Sequence, residues 1–177
     1  MAIELQRADE TQRRNRAWKR GWFPYQRYVS IHQSSMDSLE AEGLVQRDTL
    51  TFREIRTPGG ALAAVNLRGR IECCERIVIA VNKWLDTAIN DWSQLVVQGR
   101  SYSYHAWVRA RPRRDLLRYD DGHGELHRHF FDATGVEVGI QPVALDSLPR
   151  LDLLIREAVA LVQGTSIAEL HRSQPPS

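Results

Sequence analysis

Between Leu151 and Val162 the apolar residues Leu151, Leu154, Ile155, Ala158, Leu161 and Val162 recur at helical spacing, and Gly164 stands where such a helix would stop. A one-sided stripe of this kind gains nothing alone; it must cover another apolar surface. The preceding chain offers one. From Asp48 to Ile140 β-branched and aromatic residues fall in short alternating runs, broken by Thr57-Pro58-Gly59-Gly60, Asp120-Asp121-Gly122-His123-Gly124 and Ala133-Thr134-Gly135. The expected architecture is α+β: a twisted, mainly antiparallel sheet with one C-terminal helix packed on it, plus a basic N-terminal arm. Asp146 or Ser147 is the expected helix cap, with Pro149 in the first turn.

Strands are expected over 48–56, 62–70, 71–85 (long enough for two meeting near Glu75), 95–97, 102–109, 116–119, 126–131 and 136–140. In the stretch 102–109, Tyr102, Tyr104, Ala106 and Val108 share one face, and Ser103, His105 and Trp107 the other. A short helix runs from Ser34 or Ser35 to Glu42, with Gly43 as its stop. The division is therefore 1–47, a basic and aromatic arm with a short helix; 48–164, the α+β domain; and 165–177, a mobile tail. A chain of 177 residues with 42% apolar and 26% charged side chains suits one soluble domain and excludes disordered and collagen-like classes. No unbroken apolar run exceeds five residues, far below the ~20 that cross a bilayer. The opening MAIELQRADE has no secretory h-region, so the expected location is cytoplasmic, where the adjacent Cys73 and Cys74 stay reduced.

The net charge is only +2, yet the cations are 22 Arg against 2 Lys. Residues 1–28 carry a local +4 and interleave it with aromatics. Arginine suits bidentate phosphate contacts and stacking, so Arg13, Arg14, Arg16, Lys19, Arg20 and Trp22, with Arg128 further on, are the candidate nucleic-acid contacts. The plainer alternative docks these aromatics on the body or on a partner protein.

Four of the six histidines, His105, His123, His127 and His129, fall within 25 residues, among Tyr102, Tyr104, Arg118, Asp120, Asp121 and Arg128. Imidazoles titrate near neutrality and can divide acid and base roles in RNA scission, while an arginine holds the phosphate. His127 and His129 share a strand face, and Arg118 and Asp120 share another, which predicts that this last pair is bonded. Whether His105 or the tyrosines face His127 depends on register. The rival chemistry is a metal held by His123, His127 and His129 with Asp120, Asp121 or Asp132. Gly122 and Gly124 make His123 costly to hold as a ligand, so the expectation is no metal and no cofactor.

The segments Leu67-Arg68-Gly69-Arg70-Ile71, Tyr102-Ser103-Tyr104-His105, Leu117-Arg118-Tyr119-Asp120 and His127-Arg128-His129, with the Leu148-Pro149 helix, together resemble the TumE-like toxin family of prokaryotic toxin-antitoxin modules over about residues 62–163. The resemblance implies a small α+β protein that acts on RNA and is held by a helix-turn-helix antitoxin. It carries over Tyr104, His105, Arg118, Asp120, His127 and His129 as catalytic residues. The segment after Asp120 departs from the family pattern, as does the arm. The expected function is a metal-independent endoribonuclease acting as a toxin, with RNA and an antitoxin as partners and a homo-oligomer as a further option. The alternative is a non-catalytic RNA-binding or protein-interaction subunit.

Overall fold

The computed structural model describes residues 21–121, 125–143 and 150–164. Their architecture is α+β. Phe23–Pro24 (β1) leads into a helix Tyr25–Ala41 (α1), followed by Val45–Asp48 (β2), Thr51–Arg56 (β3), Leu62–Cys73 (β4), Ile77–Ile89 (β5), Leu95–Val108 (β6), Arg114–Asp120 (β7), His127–Phe131 (β8), Glu137–Pro142 (β9) and the helix Leu151–Gln163 (α2). All pairings are antiparallel, in the order β2-β4-β5-β6-β7-β8-β9; β3 pairs with β4 beside β2, and β1 with β6.

The β4–β5 connection falls at Glu75 as expected, in a short 3-10 turn where Glu75 and Arg76 adopt positive φ. Two expected strands, 95–97 and 102–109, are instead one continuous β6. Pairing with β5 shifts register between Trp84 and Leu85, and this bulge keeps the strand paired along its length. Gly99, paired with Leu85, flanks the unpaired Arg100 of that bulge, and a Cβ there would stand 1.7 Å from the Tyr102 hydroxyl.

The amino-terminal helix is longer than the sequence suggests. It begins at Tyr25 rather than Ser34 because Pro24, which reads as an interruption, occupies the position just ahead of the first turn. Tyr25 and Tyr28 pack edge-on against Phe52 of β3, beside buried Val65, Leu85 and Val97. Residues 23–28 are therefore part of the body. Gly43 ends the helix as expected, with φ 74°.

In α2 the stripe is Leu151, Leu154, Ile155, Ala158 and Val162, packed on the main core; Leu161 turns outward. The N-cap is Arg150, and the expected caps Asp146 and Ser147, with Pro149, lie outside the described residues. Both helices cover one face of the sheet. Met36 and Leu39 of α1 and Leu154, Ile155, Ala158 and Val159 of α2 meet Leu67, Ile71, Ile79, Val81, Tyr104, Ala106, Leu117 and Tyr119 in one core. No described helix packs on the opposite face. Among the described residues no helix is long and apolar enough to cross a membrane.

Candidate functional site

Register decides which side chains converge. On the helix-free face one row runs Arg70, Ala80, His105, Arg118, His129, Ile140 across β4 to β9, and the adjacent row runs Arg68, Asn82, Ser103, Asp120, His127, Pro142. Five of the six candidate catalytic residues therefore share a face. Tyr104 does not: it is buried under the helices, and the sheet separates it from the imidazoles. Its place in the strand alternation marks that separation already.

At the centre is Asp120. Arg118 Nε donates to its Oδ2 at 2.5 Å, the pairing that the i, i+2 spacing predicts. His127 Nε2 lies 3.0 Å from Oδ1, and His129 Nε2 lies 3.4 Å from Oδ2. The far side of each ring is also engaged. His127 Nδ1 is 2.8 Å from the Glu125 carbonyl, and His129 Nδ1 is 2.8 Å from Glu137 Oε2 on β9. Both imidazoles are buried, and His129 Nε2 has no hydrogen-bond partner. Asp120, His127 and His129 each present one donor atom, all within 4.8 Å of one another, and so form a set that could hold a metal ion.

His105 is the accessible imidazole. It stacks on Phe131 at 6.4 Å, meets Trp107 edge-on at 5.4 Å, and places Nε2 3.2 Å from Asp115 Oδ1. Partial burial lowers its pKa below the ordinary imidazole value, a drop that Asp115 opposes and Arg113 and Arg118 assist. At neutral pH this favours the neutral ring, the form that accepts a proton.

Other expected participants stand elsewhere. Arg128 points to the helix side, ion-paired with Glu157 of α2 and stacked over Phe130 with its guanidinium carbon 4.4 Å from the ring centre. It is mostly enclosed and holds the helix to the sheet rather than facing a ligand. Asp121 accepts from Ser101 Oγ and the Tyr102 amide and so is committed to strand β6, and Asp132 accepts from the Thr134 and Val136 amides and so is committed to a turn. Trp22 is half-buried just before β1, which meets β6 at Val96 and Val97, eight and nine residues from His105, or roughly 25 Å along the strand. Arg13, Arg14, Arg16, Lys19, Arg20 and His123 lie outside the described residues.

No family model, curated protein or solved structure matches the chain.

The site's geometry includes residues that the sequence reading passed over. Arg68 and Arg70 are exposed on the helix-free face. Nearby, Arg113 lies 4.6 Å over the Trp107 ring and Arg100 lies 5.4 Å over Trp84. The alternation of β4 was the available signal, since it sets both arginines opposite the apolar Leu67 and Ile71.

Proposed function

We propose that the protein is an RNA-cleaving phosphodiesterase that takes a single strand across the helix-free face and cuts it beside His105 and Arg118. The observation that carries this reading is the convergence of an accessible neutral imidazole, the Arg118 guanidinium and the exposed Arg68 and Arg70 in two adjacent rows. Cations flanked by Trp84 and Trp107 are the combination that grips a phosphate backbone and stacks bases without reading sequence.

In this reading His105 takes the proton from a ribose 2′-hydroxyl as its oxygen attacks the adjacent phosphorus. The bond from phosphorus to the 5′-oxygen breaks, and that oxygen leaves with a proton returned by solvent or by the imidazolium. The products are a 2′,3′-cyclic phosphate and a 5′-hydroxyl. Arg118, fixed by Asp120, offsets charge on the phosphorane. A cytoplasmic toxin restrained by a helix-turn-helix antitoxin fits this chemistry and the motif resemblance. A second reading, a non-catalytic RNA-binding subunit, is favoured by one feature: His127 and His129 are buried and turned toward Asp120.

Cleavage and binding of a fluorescent single-stranded RNA separate the two. His105→Ala is expected to cost ~10² to 10⁴ in rate with affinity nearly unchanged. Arg118→Ala should lower both. Cleavage undiminished in both variants overturns the assignment, and tight binding without turnover selects the second reading.

A further inference from the structure

The hydrogen bonds behind the two buried imidazoles determine what their front atoms can do. Glu125 presents a carbonyl oxygen to His127 Nδ1, and Glu137 presents a carboxylate to His129 Nδ1, each at 2.8 Å. Both Nδ1 atoms therefore donate. In a neutral ring the lone pair then sits on Nε2, and in both residues Nε2 is aimed at the Asp120 carboxylate. Lone pairs facing a carboxylate repel it unless a cation lies between them. His129 Nε2 is the sharpest case, a buried nitrogen with no hydrogen-bond partner in a side chain only 5% exposed.

We infer that Asp120, His127 and His129 bind one divalent transition-metal ion, with Glu125 and Glu137 as the groups that orient its imidazole ligands. Spacing supports this. Metal bonds of ~2.1 Å place neighbouring ligands about 3.0 Å apart in an octahedron and about 3.4 Å apart in a tetrahedron. His127 Nε2 stands 3.0 Å from Asp120 Oδ1 and His129 Nε2 3.4 Å from Oδ2, so each imidazole is at ligand spacing from one oxygen of the carboxylate, and with one donor atom per residue all three lie within 4.8 Å. An imidazole tied at Nδ1 to a carbonyl or carboxylate is the usual support behind a metal-bound histidine. Here β8 supplies both rings on one face, and its neighbours β7 and β9 supply the carboxylate and the Glu137 support.

Two imidazoles and one carboxylate suit zinc or ferrous iron and disfavour magnesium, which prefers all-oxygen ligands. Three protein ligands leave positions open. Arg118 holds Asp120 Oδ2 and stands beside them, so an anionic oxygen entering the site would meet both charges. That this oxygen belongs to an RNA phosphate rests on the function proposed above; the metal site does not. With a metal held here, His127 and His129 are ligands rather than the metal-free acid–base groups expected from the sequence, and His123 is not among the ligands required.

The test uses the full-length protein, stripped with chelator and titrated with Co²⁺, Zn²⁺ or Mg²⁺. One equivalent of Co²⁺ is expected, with visible ligand-field absorption that Zn²⁺ displaces and Mg²⁺ does not. His129→Ala and Asp120→Asn should abolish this band, while His105→Ala retains it. Because a ligand variant can fail to fold, Glu137→Gln on the rim is the second probe, with affinity expected to fall ~10- to 100-fold. Absence of stoichiometric Co²⁺ and Zn²⁺ binding, or binding unaltered in both His129→Ala and Glu137→Gln, overturns the inference. The readout needs no RNA, so a protein that binds Co²⁺ but cuts nothing retains the metal site and loses only the proposed function.

Discussion

Lys83, one of only two lysines in the chain, stands on the helix-covered face between Leu67 and Tyr102 in the register. Its Nζ lies 5.1 Å from the Tyr28 ring centre and 4.9 Å from that of Tyr102, at a cavity of about 350 Å³ also lined by Met36 and Tyr104. Burial lowers its pKa to about 8, against 10.5 for a free side chain. The unfolded chain thus holds this proton more tightly. The penalty for burying the charge is fully present below pH 8 and disappears as pH rises toward 10.5, so this residue makes stability increase with pH across that window. The span corresponds to about 3 kcal/mol, offset by roughly 1 to 2 kcal/mol of attraction to the two rings. Lys83→Met is therefore expected to raise the melting temperature by a few degrees at pH 7 and by less at pH 9.5, measured by calorimetry at both values. Destabilisation at both values would show that the ring contacts dominate. The strand alternation places Lys83 opposite Asn82 and Trp84 in the sequence itself, but the rings that enclose it come from α1 and β6, which local pattern does not bring together. Gly69 is similar. It sits in one of the motifs carrying the family resemblance, and its structural reason is distant in sequence: a Cβ there would lie 2.4 Å from the Thr49 carbonyl oxygen, where the edge bends between β2 and β3.

Helix α2 was legible because its stripe is strong and the glycine after it ends it, but one member of its buried side broke the pattern. Glu157 is buried, accepts from the Tyr119 hydroxyl at 3.1 Å and pairs with Arg128 of β8. A charge on an apolar stripe reads as an error until the partner strand is known. The same contact explains why Arg128, which looks like a phosphate ligand, faces inward. Arg128→Ala should leave the Glu157 carboxylate enclosed without its cation and cost about 3 to 5 kcal/mol. Arg128→Ala with Glu157→Leu should recover much of that loss, since the stripe then becomes continuous. Urea unfolding of the two variants checks this, and a single variant as stable as the parent would show that the pair is solvated. Helix α1 was missed in its first half for a different reason. Tyr25, Tyr28, His32, Met36 and Leu39 do repeat at helical spacing, but the weaker helix formers Ser30, Ser34 and Ser35 interrupt them. What holds that half in place is Phe52, whose ring meets Tyr25, Tyr28 and His32 at 6.3, 6.1 and 5.3 Å, a tertiary contact without a local signal.

At the scale of the molecule the sheet has two unlike faces, and this division was readable from alternation alone, whereas the register that aligns His105, Arg118 and His129 was not. Long antiparallel strands can slide by two residues without changing either face's polarity, and only the turns and bulges fix which rows meet. The observed rows set Arg68 and Arg70 four strands away from His127 and His129, ~20 Å across the sheet. If nucleic acid crosses these rows, its phosphates meet cations supplied by β4 and β7, and affinity should fall with salt by about 0.7 in log K per log salt for each phosphate neutralised. Arg68→Glu with Arg70→Glu should then weaken single-stranded RNA binding and reduce the magnitude of that slope by roughly 1 to 1.5. Arg27→Glu provides the contrast. Arg27 is exposed on α1, the element on the other side of the sheet, with its guanidinium 5.4 Å over Phe23. It should change binding little if the strand keeps to the helix-free face. Fluorescence anisotropy across a salt series distinguishes the paths: a slope that responds to Arg27→Glu but not to the β4 pair would place the contact along the helices, where His105 and Arg118 could not reach the phosphate.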